Sequence, residues 1–121
     1  MKKIPSILVL VALVTSAYAG EASLKSNDER ILGKELFKKK SCTMCHKKDL
    51  EGYGPSLTKI AFEYSGKEKQ LYDYLQGKSE AIIRPKKATI MKGQLLKLKI
   101  LSDHKIKAIT RYIITISDRE F

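Results

Sequence analysis

Cys42-Thr43-Met44-Cys45-His46 is the stretch that decides how this chain is read. Two cysteines three apart, with a histidine directly after the second, form the pattern that attaches a c-type haem covalently. The reason is local. Positions i and i+3 of a helical turn share a face, so both thiols can add to the two vinyl groups on one porphyrin edge. The next residue, His46, lies close enough to set an imidazole nitrogen on the iron. The group on the other side of the iron then decides what the haem does.

Other chemistries use the same residue types and fit less well. A structural zinc site needs four ligands, and with 2 Cys and 2 His in the chain it would have to recruit His104. His46 abutting Cys45 is also not the paired-ligand spacing of such sites. A thioredoxin-like dithiol needs a strand before it, whereas the preceding segment reads as helix. A plain Cys42–Cys45 disulfide stays open in an oxidising compartment.

The start of the chain points to such a compartment. Lys2 and Lys3 precede an apolar run from Ile4 to Val14, and Ala17-Tyr18-Ala19 has the small-x-small form of a signal-peptidase site. Residues 1–19 are therefore expected to be a signal peptide cleaved after Ala19, which makes the protein periplasmic. The apolar run is shorter than the ~20 residues that span a bilayer, which disfavours the rival reading of a retained anchor. Cleavage leaves 102 of the 121 residues, 20–121, as one small domain. A domain of that size has a modest core, and a buried porphyrin would add apolar surface to it. Losing Lys2 and Lys3 from 24 basic residues leaves 22 against 13 acidic, a net of +9. That surface suits an acidic protein partner or peripheral contact with an anionic membrane face. No nucleic-acid motif is present, and an exported protein has no use for one.

Along the mature chain, a polar lead runs to Lys25. A first helix is expected from an N-cap at Ser26 or Asn27, with Ile31, Leu32, Leu36 and Phe37 as its apolar stripe and Lys38, Lys39 and Lys40 in its last turn. Gly33 shares a face with Phe37, and a helical glycine costs about 1 kcal/mol against alanine, so it is either incidental or a point of close helix approach. Gly52-Tyr53-Gly54-Pro55 reads as a loop. Its Pro55 carbonyl is a candidate acceptor for the second ring nitrogen of His46, since metal-bound histidines are usually oriented this way. Ser56 caps a helix to Tyr64, and a further helix runs from Lys67 to Gln76, ended by Gly77. Lys78 to Lys99 reads as irregular, with Pro85 and Gly93 as breakers. A last helix follows the Ser102 cap, with Ile106, Ile109, Ile113 and Ile116 at helical spacing and Tyr112 beside them. No strand is required.

Candidates for the second iron ligand are few. Met44 is trapped inside the attachment stretch, and Met1 leaves with the leader. His104 sits in the first turn of the last helix, where a lone histidine is usually a surface group. Met91, 45 residues after His46, offers a soft thioether, or else is an adaptable core filler.

Taken in order, these residues resemble a known family. Gly33-Lys34-Glu35-Leu36-Phe37, the Cys42–His46 stretch, Gly54-Pro55-Ser56-Leu57, Ile90-Met91-Lys92 and Leu101-Ser102-Asp103 are similar to a small bacterial monohaem class I cytochrome c, c-552/c-555-like, over residues 28–117. The resemblance implies an all-α fold of four to five helices around one haem c, its iron included. It implies thioether links at Cys42 and Cys45, His46 and Met91 as axial ligands, and Pro55 supporting His46. It also implies a crossing of the first and last helices through Gly33, Phe37 and Tyr112. One departure is Met91-Lys92-Gly93, where relatives often carry proline after the methionine. Glycine loosens what proline would stiffen.

The expected function is a soluble, monomeric electron carrier rather than an enzyme. Lys38, Lys39, Lys40, Lys47 and Lys48 flank the attachment stretch in sequence and are candidates for docking an acidic redox partner, such as a terminal oxidase or another periplasmic redox enzyme. The alternatives are a haem sensor with a labile sixth ligand and the cytochrome subunit of a periplasmic dehydrogenase.

Overall fold

The computed structural model describes residues 25–116, and every regular element among them is helical. The expected leader, 1–19, lies outside the described residues. Helix α1 covers residues 25–39. It is already helical at Lys25, so Ser26 and Asn27 lie inside it and do not cap it. Leu36 and Phe37 are buried and Leu32 half-buried, as the periodicity predicts, but Ile31 is 48% exposed, at the edge of the stripe. The helix ends where Ser41 enters the left-handed region at φ 62°, and a single 3-10 turn, Cys42–Met44, follows.

Helix α2, Leu57–Glu63, begins at Ser56, whose side chain accepts a hydrogen bond from the Lys59 amide. Helix α3, Glu68–Leu75, buries Leu71 and Leu75. Gly77 beyond it has φ +76°, the left-handed conformation that glycine adopts without strain. Helix α5, Asp103–Ile114, is capped by Ser102 and buries its isoleucine stripe together with Tyr112. These elements meet in one core. Within it α1 comes close against α5: a Cβ at Gly33 would lie 1.9 Å from the Ala108 carbonyl oxygen and 2.8 Å from the Tyr112 Cβ. Gly33 is thus a point of close helix approach, and no other residue fits there without moving a backbone. Beside it, the Phe37 and Tyr112 rings meet edge-on at 5.5 Å between centroids.

The segment read as irregular, Lys78 to Lys99, is more ordered than its breakers suggest. Pro85 opens a 3-10 turn, Pro85–Lys87, where its missing N–H costs nothing. Helix α4, Ala88–Leu95, runs straight through Gly93, and a second 3-10 turn, Leu96–Leu98, continues it. Gly93 is therefore helical, and Met91 stands on a helix rather than on a loop. Only Leu95 of α4 is buried, whereas six residues of α5 are.

Candidate functional site

The Cys42–His46 turn is held by its own backbone. The Cys45 and His46 amides both donate to the Cys42 carbonyl, at 3.3 and 3.0 Å. Both cysteines are free thiols, so the disulfide reading is not realised. Cys42 is half-buried and Cys45 exposed. Burial pushes the Cys42 thiol up, and the Lys97 ammonium draws it partway back.

His46 is fixed from three sides. Its Nδ1–H donates to the Pro55 carbonyl at 2.8 Å, which leaves the Nε2 lone pair for a metal. Phe37 packs on the ring, with centroids 6.4 Å apart. Gly54 lies so close that a Cβ there would sit 2.5 Å from the His46 Cε1. Nothing local in the sequence marks this role of Gly54; only the fold brings it against the imidazole.

Pro55 is itself held by the start of α2. The first N–H groups of a helix lack intrahelical partners. Here the Leu57 and Thr58 amides donate to the Lys47 and Lys48 carbonyls at 2.8 and 3.0 Å. The Thr58 hydroxyl also donates to Asp49 Oδ1 at 2.6 Å, and this bond is the main cause that lowers the Asp49 carboxyl. The residues just after His46 are thus sewn to the helix that carries Pro55.

His46, Cys42 and Cys45 open onto a cavity of about 440 Å³, within the ~300–1,000 Å³ usual for small-molecule and cofactor sites. Its floor is apolar, with Phe37, Ile60, Leu71, Leu75, Ile109 and Ile113 among the lining residues. Met91 lines the same cavity and is half-buried. His104 is exposed and does not line it, and Met44 is 72% exposed. Tyr64 and Tyr74 line the wall as neutral phenols, both pushed up by burial, with a backbone hydrogen bond at Ile82 partly offsetting this for Tyr64. Two thiols, one oriented imidazole, one thioether and a largely apolar space fit a covalently held haem. Among the described residues, no three His, Cys, Asp or Glu side chains gather as a separate metal site.

The basic residues are placed differently from the sequence expectation. Of Lys38, Lys39, Lys40, Lys47 and Lys48, only Lys40 lines the cavity. Lys38, Lys39 and Lys47 are exposed elsewhere, and Lys48 pairs with Asp49 at 3.6 Å. Lys86, Lys87 and Lys97 border the cavity instead, joined by Arg84. Sequence distance from the cysteines was the wrong guide to them, because the turns on either side of α4 bring Arg84, Lys86, Lys87 and Lys97 to the cavity.

No helix among the described residues is long and apolar enough to cross a membrane. A search of curated proteins finds no match. The model of the family described as Cytochrome c matches residues 31–117, most of the chain and all of the site, and this protein belongs to the cytochrome c family, which binds covalently attached haem c and works in electron transfer.

Proposed function

We propose that this chain is an exported, soluble one-electron carrier whose haem is ligated by His46 and Met91. One observation carries the reading: Met91 lines the same apolar cavity as the oriented His46, while His104 does not. When bound, the haem supplies an Fe(III)/Fe(II) couple. The protein's part is positional. Cys42 and Cys45 would anchor the ring edge, Pro55 and Phe37 hold the imidazole, and the buried leucines and isoleucines would keep water from the group. If both His46 and Met91 ligate the iron, no coordination site would be left for a substrate.

The absorption spectrum of the ferric protein tests this. A sulfur-to-iron charge-transfer band is expected, and Met91→Ala should abolish it. A native protein without that band would overturn the ligand assignment. The basic border of Lys40, Lys86, Lys87 and Lys97 supports docking to an acidic redox partner. Electron transfer to such a partner should slow as ionic strength rises, and a rate indifferent to salt would remove the steering. A second reading, a haem sensor, draws on the thin anchorage of α4. Rapid binding of carbon monoxide to the reduced protein at neutral pH would favour it over the carrier.

A further inference from the structure

The cavity has two walls built from distant parts of the sequence. The loop at residues 51–55 leads into Pro55 and so belongs to the His46 wall. The segment from Arg84 to Leu98 carries Met91 and forms the other. Arg84 joins them. Its Nη2 pairs with Glu51 Oε2, and its Nη1 lies 3.5 Å from the Gly52 carbonyl oxygen. Glu51 is held from behind: its Oε1 lies 3.5 Å from the Ser56 amide and 3.9 Å from Lys59 Nζ. Ser56 is buried and caps α2, so the carboxylate is tied to a fixed point.

Two features show that this pair has a task beyond surface decoration. Arg84 is one of two non-glycine residues with positive φ among the described residues, at φ 46° and ψ 54°. A bulky side chain there is strained, and such strain persists only where surrounding contacts hold it. Besides this pair, the segment it opens is held by buried Leu95 and Leu98 and by half-buried Met91 against the core. Helix α4 buries only Leu95, and no side chain caps its start. Few buried contacts mean a low cost of local opening.

We infer that Arg84 is a positioning residue: with Glu51 it forms a clasp that closes the Met91-bearing segment onto the His46 wall and restrains its opening. The ligand-entry readout below rests on Met91 being the second axial ligand; the hydrogen-exchange readout does not.

The test uses the haem-loaded protein and the variants Glu51→Gln, Arg84→Gln, their double mutant, Arg84→Lys and Lys59→Gln. The first readout is amide hydrogen exchange across Ile90 to Leu95, with α5 as internal reference. Glu51→Gln and Arg84→Gln should each speed α4 exchange on the order of fivefold, the upper reach of a partly exposed ion pair. The double mutant should add nothing to either single change, because both remove one contact. Arg84→Lys should recover part of the protection, and Lys59→Gln, which leaves the Arg84–Glu51 contact itself in place, should cost less of it than either single variant. The second readout is the rate at which imidazole binds the ferric iron, which should rise in the same order. Additive single mutants would overturn the clasp. So would an Arg84→Gln effect without a Glu51→Gln effect, which would mean that Arg84 serves the carboxylates of the bound haem instead. Equal acceleration in α4 and α5 would reduce the pair to a general stabiliser and also overturn it. If Met91→Ala leaves the ferric spectrum unchanged, the ligand assignment falls while the exchange experiment still decides the clasp.

Discussion

The two walls of the cavity are built to different standards. The His46 wall is determined several times over: a carbonyl, a phenyl ring and a glycine backbone all fix one imidazole, and α1 and α5 lock behind it. The Met91 wall hangs from Leu95, Leu98 and an ion pair. Three of the four glycines within these regions show the contrast. Gly33 and Gly54 are places where no Cβ fits, whereas Gly93 has nothing within 4 Å of where its Cβ would stand. The His46 wall needs Gly33 and Gly54 for contact, although Gly52 in its loop stands open, and the other wall merely tolerates Gly93.

Substitution at these positions can break that comparison. Gly33→Val should have the largest effect, because its Cβ would collide with the backbone of Ala108 rather than with a side chain that can turn aside. Overpacking of this kind costs about 3 kcal/mol or more, and urea unfolding should show most of a small domain's stability gone. Gly54→Ala should cost ~1–3 kcal/mol by displacing the His46 ring. Its mark should be a changed ferric spectrum together with a lower melting temperature. Gly93→Ala should act in the opposite direction, stabilising by ~0.5–1 kcal/mol through helix propensity and a less flexible unfolded chain. Its melting temperature should rise without a change in spectrum. A destabilised Gly93→Ala would mean that the Met91 wall is as closely fitted as the other.

The same division governs what the sequence reveals. Cys42, Cys45, His46 and Pro55 were readable from local spacing, whereas the Gly33–Phe37–Tyr112 crossing was implied only by the family resemblance, the residues alone leaving Gly33 open. The isoleucine stripe of α5 was readable because its period is unbroken. Helix α4 was not, since Pro85 and Gly93 look like breakers until Pro85 is seen at the start of a turn and Gly93 inside a helix held by Leu95 and Leu98. The Arg84–Glu51 pair leaves no local trace, because its partners are 33 residues apart. The cavity-bordering lysines were missed for a similar reason: proximity to the cysteines along the chain stood in for proximity in space.

The contact of Phe37 with both Tyr112 and His46 has a consequence for the order of events in folding. Phe37 and Tyr112 stand 75 residues apart, so their meeting closes a loop that takes in nearly all of the described chain. Such closures cost entropy that only later contacts return, and they come late when a chain is dominated by them. The ring that packs on the His46 imidazole is therefore braced in turn by the last helix of the described residues. His46 can be brought near its final place by the turn and by Pro55 alone, but its wall acquires full stiffness only once α5 has docked. The docking of α5 and the completion of the His46 wall are then one event.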